Sequence, residues 1–240
     1  MPVTTTGNED LDAEESRSFN LGFVWDVTPR WNVGVDGWHL KNKDAVINDP
    51  QYILDNEAKF PGLVQRDGGG NLVGIRSPFQ NVEEQRLWGV DLNTELRTRP
   101  GPNGVFTLGA VASYLASFER QATPEREEEE LAGRDGRPHW RARATLDWNK
   151  GPYEAGLAVN YTGDYTRESA DDYVGSWTTV DARFKWQPPS IKGSALSIGV
   201  DNVFDQDPPE DPFYEGWPFF NRALHDPRGR FLFMRLEHSF

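Results

Sequence analysis

The 240-residue chain contains no cysteine. Disulfide frameworks, thiol nucleophiles and cysteine zinc sites are therefore excluded. Positive charge is scarce: 25 Lys+Arg stand against 38 Asp+Glu, a net charge of −13. A nucleic-acid partner, which requires a basic face, is not expected. Nowhere do about 18 apolar residues run together, so no transmembrane helix is expected. The opening MPVTTTGNEDLDAEES has no basic segment followed by an apolar core, so no signal peptide is expected in it. Aromatic residues, by contrast, are plentiful: 9 Trp, 14 Phe and 7 Tyr. A disordered chain could not bury that many. The length suits one or two domains, and a single all-β unit of this size is ordinary.

Low mean hydropathy does not exclude a membrane protein. A transmembrane β-barrel alternates lipid-facing apolar residues with lumen-facing polar ones, and the average resembles that of a soluble chain. The discriminating signal is period-two alternation in segments of about ten residues. Nine segments show it: 16–28, 31–44, 83–98, 105–119, 139–149, 153–165, 174–187, 193–204 and 229–240. The fifth is the clearest. Trp140, Ala142, Ala144, Leu146 and Trp148 form one face, and Arg141, Arg143, Thr145, Asp147 and Asn149 the other.

Connections after the odd-numbered segments are short, with Pro or Gly in each. Those after the even-numbered ones are longer, notably 45–82, 120–138 and 205–228, with a moderate one at 166–173. A meander whose two rims face different compartments sorts its loops in this way. A soluble sandwich has no reason to. The polar faces carry charges that read as uncompensated, Arg141, Arg143 and Asp147 on one strand and Asp181, Arg183 and Lys185 on another. They suit a wet or plug-facing lumen. Trp140 with Trp148, and Tyr153 with Tyr161, bracket two strands on one face, as interfacial aromatics do.

No catalytic pattern is present. The four histidines, His39, His139, His225 and His238, lack metal spacing, and no cofactor is implied. Gly68, Gly69 and Gly70 read as a loop tip. The acidic run at Glu125 and Glu127 to Glu130 reads as a solvated loop. Asp205, Asp207, Glu210 and Asp211 lack the spacing of an EF-hand and read as a structural turn rather than a metal site. The loop over 211–221 concentrates Phe213, Tyr214, Trp217, Phe219 and Phe220. Exposed on an outer loop, these rings could stack on a sugar or a siderophore; alternatively they pack among loops or at the membrane interface.

Several stretches resemble the C-terminal barrel half of TonB-dependent receptors: LDAEESRSFNLGFVW (11–25), WGVDL (88–92), HWRARATLDWNKGPYEAGLAVNYTGDY (139–165), VDNVFDQDPP (200–209) and DPRGRFLFMRLEHSF (226–240). Leu232, Met234, Leu236 and the terminal Phe240 resemble the C-terminal strand signal read by the outer-membrane barrel-assembly machinery. The resemblance implies an all-β fold: an antiparallel up-and-down transmembrane β-barrel portion, about nine strands of a 22-stranded barrel. Residues 1–15 would be a lead-in and 16–240 the C-terminal barrel part, with the plug domain absent. It also implies a bacterial outer-membrane location, contact with lipid, and energised uptake of a scarce, bulky nutrient. That nutrient would be a ferric siderophore, haem, cobalamin or an oligosaccharide. The remainder of the receptor, its plug and, through the plug, TonB would be partners. Nine strands cannot close so wide a barrel, and open edges are not tolerated in lipid. Two other readings remain: a soluble β-sandwich binding module using the aromatic loop, and a small passive outer-membrane pore with one further strand drawn from 45–82.

Overall fold

The computed structural model describes residues 2–167, 172–214 and 216–239. Its first elements are β1 (Val3–Thr6), β2 (Glu15–Thr28), β3 (Trp31–Ile47), α1 (Pro50–Asp55), a 3-10 turn (Glu57–Lys59), β4 (Val64–Arg66) and β5 (Leu72–Pro78). There follow β6 (Gln80–Arg97), β7 (Val105–Gln121), β8 (Glu129–Glu130), β9 (Trp140–Lys150), β10 (Tyr153–Thr162), β11 (Tyr165–Thr166) and β12 (Tyr173–Val174). The last are β13 (Trp177–Trp186), β14 (Ser194–Asp201) and β15 (Phe231–His238). No helix among the described residues is long and apolar enough to cross a membrane.

One sheet runs in the order β15-β14-β13-β10-β9-β7-β6-β3-β2, with the short β8 paired to β7. All nine expected strands are present, each beside its predecessor, as an up-and-down meander. The sandwich reading fails: apolar side chains on one face stay exposed, among them Leu108, Leu157, Ile198, Leu232 and Met234. The other sheets among the described residues have only three and two strands. The small-pore reading fails too, because β2 and β15 end an open path.

The chain divides into two compact units. Asn20–Trp38, Trp88–Ala116 and Leu131–Phe240 form the larger. Its register explains the alternation. Phe106, Trp148, Ala155, Phe184, Ile198 and Met234 stand side by side across six strands. The neighbouring row on the same face is Leu108, Leu146, Leu157, Ala182, Val200 and Leu232. Because the side-chain period is two, the row between them, with Asp147 and Arg183, points the other way.

Four of the charges on that second face, Arg143, Asp147, Asp181 and Arg183, are paired, contrary to the expectation of uncompensated groups. Arg183 meets Asp147 at 2.6 Å over Gly156. Arg143 donates to Asn160, whose amide donates to Asp181 at 2.8 Å. Arg183 on β13 reaches Asp147 on β9 across the intervening β10, while Asn160 on β10 lies beside both Arg143 and Asp181, and only the register brings these groups together.

Several strands end earlier than expected. The structure closes β10 at Thr162 and opens β13 at Trp177, because Tyr165–Thr166 and Tyr173–Val174 pair with each other as a separate hairpin. β14 stops at Asp201. Asn202 takes a left-handed φ of 51° and exchanges two hydrogen bonds with the backbone of Gln206, at 2.9 and 3.0 Å. That Asx-type turn replaces the ladder.

Short turns join the other strand ends. Gly104 sits at φ +91°, and a Cβ placed there would lie 2.3 Å from the Asn149 carbonyl oxygen. Gly104→Val should therefore cost at least about 2 kcal/mol, combining left-handed strain with a backbone clash. Gly68→Ala, in open space with no such φ, should change stability by less than about 0.5 kcal/mol. Urea unfolding of both variants in detergent checks the contrast.

The smaller unit comprises Met1–Phe19, His39–Leu87 and Ser117–Glu130. Residues 48–79, expected as one long loop, fold around a small core of their own. Ile53, Val64 and Ile75 are buried, with Leu54, Phe60, Leu63 and Leu72 packed against them. Within 45–82, where the small-pore reading needs a further strand, Tyr52 to Leu54 are helical, because Asp49 caps α1 by accepting from the Gln51 and Tyr52 amides ahead of Pro50. β1 lies parallel to β5, and β4 antiparallel to it. Between β4 and β5, Asp67 accepts from the Gly69 and Asn71 amides and holds the triple-glycine tip. The Asn71 side-chain amide also donates to it, and that bond first, with the two backbone bonds, keeps the Asp67 carboxyl below the usual carboxylate range.

Candidate functional site

The segment from β14 to β15 carries the five aromatics singled out above. Trp217 is 80 % exposed, Phe213 70 % and Phe219 50 %. Phe220, at 9 %, is interior. Tyr214 is half-buried and meets the Phe213 ring edge-on at 5.3 Å. The loop thus presents three rings outward and turns one inward.

Beneath these rings lies a buried ion pair. Asp211 is 2 % exposed. It accepts from Tyr165 Oη at 2.5 Å, from Arg167 Nε at 2.8 Å, from a second Arg167 nitrogen, and from the Phe213 amide at 3.1 Å. Asp135 lies 3.7 Å from the same guanidinium. The Arg167 carbon stands 4.8 Å from the Phe213 centroid, 5.5 Å from Tyr165 and 5.8 Å from Tyr214. A planar cation can hold a carboxylate with its edge and aromatic faces with its plane. Burial raises the Asp211 carboxyl, but the bonds from Arg167 and Tyr165 outweigh it and hold it below its ordinary value. The Tyr165 hydroxyl is pushed up, by burial first and then by the Asp211 charge.

Sequence reasoning missed this pair. In the sequence Asp211 reads with its acidic neighbours as a structural turn, and nothing marks Arg167. They are 44 positions apart, and no local pattern connects them. Of the other acidic residues, Asp205 accepts from the Arg230 amide at 2.7 Å and pairs with its side chain at 3.4 Å. Arg228 pairs with Asp226 at 2.6 Å and covers Phe231 at 4.8 Å. The Asp-x-Arg-Gly-Arg stretch thereby pins the start of β15 to the exit of β14. Asp207 and Glu210 are exposed.

The acidic run is tied down rather than freely solvated. Glu125 pairs with Lys59, and Glu128 with Arg86 at 3.1 Å. Glu129 pairs with Arg120 at 3.4 Å, and Glu130 accepts from Ser117 Oγ at 2.6 Å and the Phe118 amide at 2.7 Å. Leu232, Met234 and Leu236 line one exposed face of β15 opposite Val200, Ile198 and Leu196. Phe240 lies outside the described residues.

An open antiparallel meander with one apolar and one polar face, aromatics toward both strand ends and loops sorted by rim defines a portion of a transmembrane β-barrel wall. A family model described as TonB dependent receptor-like, beta-barrel, matches residues 2–203. The chain belongs to that family of outer-membrane transport receptors.

Among curated proteins it is 25 % identical over 212 residues to the metal-pseudopaline receptor CntO of Pseudomonas aeruginosa, covering 85 % of this chain and 25 % of that protein. Among solved structures, the siderophore receptor PirA from Acinetobacter baumannii aligns with a TM-score of 0.67 at 13 % identity, over 98 % of this chain and 33 % of the receptor. The FrpB iron transporter from Neisseria meningitidis aligns with a TM-score of 0.64 at 14 % identity, over 99 % of this chain and 33 % of the other. These likenesses to solved structures are likenesses of fold. The chain spans about a quarter of the length of the curated relative and a third of the two receptors.

Proposed function

We propose that this chain supplies part of the wall and several outer loops of a bacterial outer-membrane receptor that takes up a scarce, bulky nutrient with energy delivered through TonB. The sorting of its loops by rim carries the reading. A wall that separates two compartments needs short turns on one side, and ligand capture needs long loops on the other. The lipid face would be the apolar rows through Phe106 and Leu108, and the barrel-assembly machinery would read the β15 face. The remaining strands, the plug and TonB complete the device. Among ferric siderophores, haem, cobalamin and oligosaccharides, the names of the relatives favour a metal chelate.

Phe213, Trp217 and Phe219 are the ligand-contact candidates on the chain. Large rings fixed on a stiff base contribute contact area with little ordering cost. Deleting the gene should abolish uptake of radioactive iron added to the producing bacterium's own spent culture medium, and restoring it should recover uptake. In the restored strain, Trp217→Ala with Phe213→Ala should weaken uptake affinity about tenfold or more. Unchanged uptake after deletion would remove the transport reading. Unchanged affinity in the double variant would remove only the aromatic surface.

The topology has its own test. Protease added to intact cells should cut within 45–82, 120–138 and 205–228 and spare the short turns. Cleavage confined to those turns would reverse the assignment.

A further inference from the structure

Besides Asp211, the segment between β14 and β15 holds a second buried titratable group that ligand contact does not use. His225 is 4 % exposed. Its backbone amide donates to the Asn221 carbonyl at 3.1 Å, yet neither ring nitrogen has a hydrogen-bond partner among the described residues. Trp177, at the start of β13, meets the imidazole edge-on at 5.1 Å and 84°. Phe220 meets it at 6.4 Å and 73°. The neutral ring therefore sits as a packing element between two aromatics, with its polar capacity unspent.

A protonated ring in the same place would be a buried cation. The charged groups bearing on it are Asp211 of its own loop, which favours the cation, and Arg141 of β9, which opposes it. Asp211 is already engaged by Arg167 and by the Tyr165 hydroxyl. Asp135, on the neighbouring 131–138 segment, faces Arg167 as well. Both carboxylates of this cluster are thus committed to Arg167.

We propose that His225 is an acid-sensitive latch: neutral, it packs between Trp177 and Phe220 and docks the loop that carries Phe213 and Trp217, and protonation releases that loop. The consequence for ligand capture rests on the aromatic-surface reading; the latch itself does not. Burial pushes the His225 pKa down, with Asp211 opposing and Arg141 reinforcing the shift. A detached loop would hold its histidine at the ordinary value of about 6.5. The detached state then binds the proton more readily. Docking is fully favoured above about pH 6.5 and weakens as pH falls below it, levelling off once the docked value is passed.

Limited proteolysis of the full receptor in native outer membranes tests the latch. Cleavage within 205–228 should be about tenfold or more faster at pH 5 than at pH 7.5. His225→Phe, which fills the same place without a titratable group, should flatten that ratio, and so should the permanently neutral His225→Gln. Should both variants misfold, the wild-type protein still decides. When the receptor is assembled from this chain with labelled histidine and the remainder unlabelled, its carbon–proton spectrum shows the signals of four histidines only. One of them should titrate below 6.5, with the acceleration of cleavage setting in near 6.5 and levelling off once that signal has titrated. Equal acid sensitivity in wild type and variants, or a His225 signal with an ordinary midpoint, overturns the proposal. Loss of the Trp217 binding effect with the pH response intact would refute the ligand surface and leave the latch standing.

Discussion

Replacing Asp211 with alanine is expected to destabilise the loops around it by about 3–5 kcal/mol, the range found when one partner of a buried ion pair is removed. The magnitude follows from burial on both sides. The Asp211 side chain is fully enclosed, and that of Arg167 is 11 % exposed. Alanine leaves the guanidinium without its main counter-charge and the Tyr165 hydroxyl without its acceptor. It also removes the acceptor of the Phe213 amide, so the first ring of the surface loses its anchor. Arg167→Ala should cost a similar amount, and the double variant clearly less than the sum, since each single change strands the other partner. Hydrogen exchange of the amides near 211–221, in the receptor as assembled, measures this directly. Additive costs, or protection unchanged in either single variant, would show that the pair does not hold the loop. Between pH 5 and 8 the contribution should be flat. The folded Asp211 pKa lies below its unfolded value, so its stabilisation is complete above about 3.9 and is lost only as pH falls through the folded value. Acid sensitivity near pH 6 therefore reports His225 and not this pair.

The second large effect concerns the sheet edges. Placed alone in lipid, the 240-residue chain is expected not to form a compact, heat-modifiable barrel species. β2 and β15 each have a neighbour on one side only. In an antiparallel strand about one N–H or C=O per residue points outward from the edge. Across both edges that is on the order of ten to twenty unpaired groups in hydrocarbon, each costing several kcal/mol. The total far exceeds a domain's net stability of about 5–15 kcal/mol. Co-refolding with the remaining barrel strands should recover the heat-modifiable band on semi-native gels. A discrete, heat-modifiable band from the chain by itself would contradict this and revive a small closed barrel.

Much of the wall could be read from residues because a strand's face assignment is local. Trp140, Ala142, Ala144, Leu146 and Trp148 declare one face whatever lies beside them, and all nine strands appeared within a few residues of their expected ends. The misplaced ends at Thr162 and Trp177 have a definite cause. Tyr165 and Val174 are strand-formers that pair with each other in a small hairpin, and composition does not distinguish that from extending the wall. The internal core of 48–79 was hidden for a related reason. Ile53, Val64 and Ile75 are too widely spaced for either helix or strand periodicity, and they meet only after the chain has turned back twice.

The site was less legible. Its aromatic residues stood out, but which rings face outward did not: Trp217 and Phe220 are both large and apolar, yet one is exposed and the other buried. The Arg167–Asp211 pair and the seating of His225 between Trp177 and Phe220 depend on contacts between residues tens of positions apart.

Alternation along the chain and the parity of its loops were enough to dictate an up-and-down meander with two unlike faces, because side-chain direction in a strand and the length of a connection are properties of short stretches. The pairing of Arg183 with Asp147, the burial of Asp211 and the isolation of the His225 ring were settled by register and loop packing. Charge compensation and desolvation depend on which distant groups arrive at the same place, and only the folded chain specifies that.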